Sequence, residues 1–202
     1  MADEIIAPTG GAEASLEPLD LSHIFASHPT LHTERLILRA TTLDDAAAIF
    51  DYASDPIATE VMTFPRHESI QDSINFIEHN SVCFDKRERL AFAIALKESD
   101  ELIGTCDYHH IRFEHHRTEI GYIMRRSFWG KGYMTETVRE LIRFAFEEME
   151  MHRVEALCNI VNERSARVME RCGMTHEGTF RHNEIRRGQF VTTKAYAILR
   201  PE

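Results

Sequence analysis

The order of segments in this chain predicts a mixed α/β fold of the α+β kind, one central sheet with helices on both faces. Three observations lead there. Short apolar runs bounded by turn residues fill the first half, strand-like and helix-like patterns alternate in the second, and 202 residues suit one domain.

Residues 1–30 combine Pro8, Gly10, Gly11, Pro18 and Pro29 with scattered acids and no sustained period. They are expected to form a loose acidic extension ahead of a single domain over residues 31–202. Leu36 to Arg39 is a short strand, and Leu43 to Tyr52, opened by Asp44-Asp45 and stopped before Asp55-Pro56, is a helix. Ile70 to Asn80 places Ile70, Ile74 and Ile77 on one stripe and is a second helix. Ala91 to Leu96 and Leu102 to Tyr108 make a hairpin around Glu98-Ser99-Asp100-Glu101. Thr118 to Met124 is the next strand. Tyr133 to Glu148 follows as a helix with Val138, Leu141, Ile142 and Ala145 at helical spacing. Val154 to Ile160 is a strand, Glu163 to Arg171 a helix ended by Gly173, and strands near Met174 to Phe180 and Phe190 to Leu199 complete the domain.

With 43% apolar and 28% charged residues the composition is that of an ordinary globular protein. A net charge of -10 argues against sequence-independent binding of nucleic acid, which needs a basic face. Residues 1–34 hold six acids and no Lys or Arg, so the body is only mildly acidic. No apolar run approaches the ~20 residues needed to cross a bilayer, and MADEIIAPTGG has acids where a secretory signal carries Lys or Arg. The chain is expected to work in the cytoplasm, away from membranes. Cys83, Cys106, Cys158 and Cys172 form no C-x-x-C pair and share no ligand-spaced cluster with His, so reduced, mostly buried thiols and no metal are expected. His109-His110 and His115-His116 flank a turn at Arg112 to Glu114. Strand alternation should send the members of each pair to opposite faces, which favours a polar hairpin rim over a metal site.

Chemistry concentrates in Ile120 to Glu136, where a strand runs into a two-glycine loop and a helix starts at once. The first helical N–H groups are then unpaired at the positive end of the helix dipole, which suits a pyrophosphate. Gly130 and Gly132 allow close backbone approach, and Lys131, Arg125 and Arg126 add positive charge. A tight structural turn would leave the same pattern. Thr135 stands where the third glycine of G-x-G-x-x-G would fall, and no G-x-x-x-x-G-K-[ST] occurs, so dinucleotide and nucleoside-triphosphate folds are disfavoured.

Four runs in order change the balance: Glu119-Ile120-Gly121-Tyr122, Trp129 to Glu136, Asn162-Glu163-Arg164-Ser165, and Gly173-Met174 with Glu177-Gly178. Together, from about Leu31 to Leu199, they resemble the GNAT acetyltransferase superfamily, and are most similar to its branch of ribosomal-protein alanine and serine N-terminal acetyltransferases. The resemblance implies a mostly antiparallel central sheet flanked by helices, in which two neighbouring parallel strands splay apart to hold acetyl-coenzyme A as cosubstrate, with no metal. It places the pantetheine arm along Ile123 and Met124 and the pyrophosphate on the backbone of Trp129, Gly130, Lys131, Gly132, Tyr133, Met134 and Thr135. Asn162 would hydrogen-bond the pantetheine, and Ser165 would protonate the leaving thiolate or serve only as a first-turn hydroxyl. Arg167 would reach a coenzyme phosphate, although an ion pair with Glu163 at i−4 is the stronger expectation. Tyr196 is a second hydroxyl for the thiolate or a packing residue, and Phe64-Pro65 and Phe84 line the acceptor groove or the core. The chain departs from the pattern at Met134, where a small residue is usual, and at Thr192, where the branch commonly has an Asp four residues before the Tyr.

The implied function is an acetyl-coenzyme A-dependent N-acetyltransferase acting on a primary amine, foremost a protein or peptide N-terminal α-amine, by direct attack on the thioester. The alternatives are a polyamine, amino acid or antibiotic as acceptor, or a non-catalytic coenzyme A-binding protein; a homodimer is admitted. Attack needs a neutral amine. An α-amine with pKa of about 7.7 to 8.0 is roughly a tenth neutral at pH 7, whereas Lys at about 10.4 is below a thousandth. Glu119 is the candidate to take the proton through water; otherwise it is a carboxylate paired with Arg117 or another base. A backbone N–H near Met124 would meet the oxyanion.

Overall fold

A computed structural model describes residues 16–202. One sheet carries β1 (Leu31–His32), β2 (Leu36–Arg39), β3 (Leu90–Leu96), β4 (Leu102–Arg112), β5 (Arg117–Met124), β6 (Arg153–Asn159), β7 (Thr175–Arg186) and β8 (Gln189–Leu199), in the order β1-β2-β3-β4-β5-β6-β8-β7. Neighbours are antiparallel except β5 and β6. The helices are α1 (Ser22–Ala26), α2 (Ala46–Ala53), α3 (Ile70–Asp85), α4 (Tyr133–Glu147) and α5 (Glu163–Arg171).

β3 reads Leu-Ala-Phe-Ala-Ile-Ala-Leu because it is covered on both faces, so both parities must be apolar. On one face Ile49 and Tyr52 of α2 and Ile77 of α3 pack against Ala93, Leu102 and Ile123. On the other, Val138 and Leu141 of α4 and Met169 of α5 pack against Phe92, Tyr108, Ile120 and Met124. Period-2 alternation therefore sends Ile123 and Met124 to opposite layers. Leu141 is fully buried at the centre of α4, where truncation to Ala costs about 2–5 kcal/mol.

The mixed sheet with its splayed parallel pair is present as expected. β5 and β6 pair only where Arg117, Thr118 and Glu119 face Arg153, Val154 and Glu155. Beyond that, β5 stays with β4 as far as Met124 and β6 with β8 as far as Asn159, so the two strands part from Ile120 onward.

Two boundaries move. The expected extension over residues 1–30 is corrected for 16–30. Leu21 and Ile24 are buried in the main core, Phe25 lies 5.3 Å from Phe84, and the Leu19 N–H donates to Phe113 O at 3.1 Å. Too few apolar residues stand there to show a period, yet Leu19, Leu21, Ile24 and Phe25 all pack on the core, while Leu16 stays exposed. Residues 1–15 of that extension lie outside the described residues. The second helix runs on from Asn80 to Asp85, because Ile77, Asn80 and Cys83 continue one buried face.

Candidate active site

β5 ends in a 3-10 turn, Arg126–Phe128, and α4 begins at Tyr133. Trp129 corrects the sequence reading: its N–H donates to Arg126 O at 3.1 Å, its indole Nε1 to Met124 O at 2.8 Å, and Arg164 stacks 4.5 Å over its ring. It braces the loop and has no amide left for an anion. The amides from Gly130 to Thr135 have no acceptor among the described residues, and the first helical bond runs from the Glu136 N–H to Gly132 O. Gly130 and Gly132 adopt φ of 78° and 84°, left-handed values that a side chain disfavours. A Cβ at Gly130 would meet nothing within 4 Å and at Gly132 only an Arg35 nitrogen at 3.5 Å. The glycines are thus demanded by backbone shape and not by the protein's own packing.

Positive charge lies elsewhere than expected. Arg125 is bound to Asp51 and Glu101 at 2.8 and 2.6 Å, and Arg126 to Asp55 at 3.3 Å, which turns both away from the loop amides. Among the described residues Lys131 pairs with no carboxylate, and its Nζ lies 5.0 Å from the Phe128 ring. Sequence reasoning missed a cleft of about 660 Å³ beside Gly132 and Thr135, where Arg35 is held by Glu136 and Arg143 by Glu140 and Glu147, and where Arg139 and Arg171 have no carboxylate partner among the described residues. The i, i+4 spacing of Arg139 and Arg143 on α4 was its signal.

Arg125 N–H bonds Ile103 O at 2.8 Å, so alternation turns the N–H of Met124 away from β4 and into the splay. Asn162 caps α5, its Oδ1 accepting from the Ser165 N–H at 3.2 Å, which leaves its amide N–H groups as donors. Ser165 Oγ shares a hydrogen bond of 2.8 Å with the Tyr122 hydroxyl, a partner the sequence reading did not single out. Burial raises the Tyr122 ionisation, so the hydroxyl stays protonated near neutrality. Tyr196 donates to Glu170 at 3.1 Å; burial and then that bond push its ionisation up to about 12. The expected Arg167 to Glu163 ion pair is replaced: Glu163 binds Lys194 at 2.9 Å and Arg167 donates to the Glu163 carbonyl. Phe84 packs with Phe25 and His28, and Phe64 with His67, as core residues.

Glu119 faces the α2 side of β5, whereas Tyr122 and Ser165 lie on the α5 side, so the two expected catalytic residues approach the splay from opposite faces. Arg117 binds Glu155 at 2.7 Å and leaves Glu119 to the histidines. His109 sits directly across from Glu119 with Nε2 3.4 Å from Oε1, and His110 Nδ1 lies 3.2 Å from Oε2. The expected division of His109 and His110 between faces is therefore corrected. His110 takes φ of 48° and the register slips between His109 and Arg112, which swings both rings onto one carboxylate. Asp107 holds His109 Nδ1 at 2.9 Å from behind. Gly121 permits this, since a Cβ there would stand 2.8 Å from Asp107 Oδ1. Burial lowers the His109 ionisation, but the Asp107 and Glu119 hydrogen bonds outweigh it and set it at about 9. Burial raises the Glu119 carboxyl; the His109 and His110 contacts more than reverse this and hold it below the ordinary range. Glu119 opens on a cavity of about 610 Å³ with His110, Arg153, Glu177, Phe180 and Tyr196 on its wall.

A family model described as "Acetyltransferase (GNAT) domain" matches residues 35–175. The chain belongs to the GNAT acetyltransferase family. It is 33% identical over 173 residues to the uncharacterized N-acetyltransferase p20 of Bacillus licheniformis, covering 86% of this chain and 97% of that one. A GNAT acetyltransferase structure from Bacillus anthracis superposes at a TM-score of 0.75 with 28% identity, over 85% and 98% of the two chains. RimL, a ribosomal L7/L12 alpha-N-protein acetyltransferase in complex with coenzyme A, shares the fold at 0.77 with 20% identity, over 85% and 98%. As a GNAT domain the chain is an acyltransferase of the N-acetyltransferase class, a class that uses acetyl-coenzyme A. No helix among the described residues is long and apolar enough to cross a membrane.

Proposed function

We propose that the chain acetylates a primary amine, foremost the N-terminal α-amine of a protein or peptide, by direct attack on acetyl-coenzyme A. The reading rests on the row of unpaired amides from Gly130 to Thr135 at the mouth of the splay, which fits a diphosphate without displacing any protein group. Bound acetyl-coenzyme A would supply the thioester carbonyl. The amides of Gly130, Lys131, Gly132, Tyr133, Met134 and Thr135 would hold its pyrophosphate, Asn162 Nδ2 and the strand edge at Ile123 and Met124 its amide arm, and the Met124 N–H the oxyanion. Glu119 would receive the ammonium proton through water. Support comes from the cavity's acids: Glu155, Glu177 and Glu184 are each bound by an arginine, whereas the partners of Glu119 are imidazoles. Ser165, with Tyr122 behind its hydroxyl, would protonate the thiolate.

RimL's action on a ribosomal-protein α-amine favours the peptide acceptor. The test is thiol release with peptides bearing free or blocked N-termini and with polyamines, amino acids and aminoglycosides. Release confined to free N-termini is expected. Release with small amines alone would replace the acceptor, and coenzyme binding without release would leave a binding protein.

A further inference from the structure

We propose that His109, His110 and Glu119 form a binding site for a zinc-class divalent transition-metal ion, with Asp107 fixing the His109 ring behind it. Two imidazole nitrogens and a carboxylate oxygen lie within 4.8 Å of one another at these residues. The two imidazoles address the two oxygens of one carboxylate, His109 Nε2 at 3.4 Å from Oε1 and His110 Nδ1 at 3.2 Å from Oε2. Tetrahedral ligands at about 2.0 to 2.1 Å from zinc stand about 3.3 Å apart, so a set within 4.8 Å closes on an ion by side-chain rotation alone.

The surroundings are those of a supported ligand set. Asp107 Oδ1 takes the Nδ1–H of His109, which orients the ring and leaves Nε2 to face the ion, the carboxylate–histidine–metal arrangement that fixes tautomer and direction. His110 is 70% exposed along its side chain, which gives an ion a path in and leaves a fourth position for water. Two imidazoles with one carboxylate suit zinc, copper or nickel better than magnesium or calcium, which prefer all-oxygen shells. Nothing in this geometry depends on which amine is acetylated. Occupancy would nonetheless engage the Glu119 lone pairs and keep them from an ammonium proton.

The decisive experiment titrates Zn2+ calorimetrically into chelator-stripped full-length protein, with Co2+ as an optical probe. Stoichiometric binding is expected, with the intense visible bands of four-coordinate cobalt and no near-ultraviolet thiolate band. His110→Asn keeps a residue tolerant of the left-handed backbone and should weaken Zn2+ at least tenfold with an unchanged Tm; Asp107→Asn should weaken it by about 10- to 100-fold. Absence of stoichiometric binding to folded wild type, a thiolate band, or equal affinity in His110→Asn would each overturn the site. Where thiol release is measurable, Zn2+ should inhibit the stripped wild type, and about tenfold more Zn2+ should be needed to inhibit His110→Asn, each compared with its own stripped rate; equal inhibition of both also overturns it. A chain with no measurable thiol release would sink the proposed reaction, while the binding titration would still decide the metal site.

Discussion

Replacing His109 with Gln in the chelator-stripped protein should make a stability difference that depends on pH in a fixed direction. The His109 side chain is 20% exposed and lies between Asp107 and Glu119, which hold its ionisation at about 9 against an ordinary 6.5. At about 1.36 kcal/mol per pKa unit that is on the order of 3 kcal/mol of folding free energy. The folded state binds the proton more tightly than the unfolded chain. The contribution is therefore complete below pH 6.5 and disappears as pH rises through 9. Urea unfolding of wild type and His109→Gln at pH 6, 7.5 and 9.5 isolates it, because the buried thiols and tyrosines titrate equally in both proteins and cancel. The wild-type advantage should shrink by about 2–3 kcal/mol across that range. A gap that stays constant, or widens toward pH 9.5, would refute the Asp107–His109–Glu119 arrangement as an ionic one.

Glu119→Gln should lower thiol release by about 100-fold and more at pH 6 than at pH 9, since fewer acceptor amines are already neutral at the lower pH; a pH-independent ratio would remove Glu119 as the proton acceptor. Gly132→Val should weaken coenzyme A at least tenfold by calorimetry. It should also cost roughly 1–2 kcal/mol of stability for a branched side chain at positive φ, and an unchanged affinity would mean the diphosphate rests elsewhere. Asn162→Ala removes the cap on α5 and should cost about 1 kcal/mol, read as a Tm lower by roughly 2–4 °C. A Tm equal to that of wild type would count against the Asn162 to Ser165 bond.

What the sequence disclosed followed from local rules. Gly130 and Gly132 ahead of the α4 stripe signalled an open helix start, and the alternation of segments signalled the sheet order's general form. Side-chain partners could not be read the same way. Arg125 and Arg126 stand beside the loop in sequence, yet Asp51, Asp55 and Glu101 come from other elements and capture them. Trp129 sits inside the anion motif, but a one-turn 3-10 bend uses its amide. The two histidines illustrate the limit most plainly: period-2 reasoning separates them, and a single residue at φ 48° brings them together. Leu21 and Ile24 escaped notice because an isolated turn of helix carries no period, only a destination in a core built far along the chain.

The short parallel seam at Arg117 to Glu119 also bears on mechanics. The half of the domain on β1 to β5 and the half on β6 to β8 are joined there, by the helices, and by Arg186 and Arg187 donating to Val61 O and Thr59 O, while the strand edges above the seam face each other unstitched. A molecule bridging that gap would act as the missing rungs of the ladder, so its arrival should stiffen the two halves into one unit and its departure should let them flex about the Glu119 end.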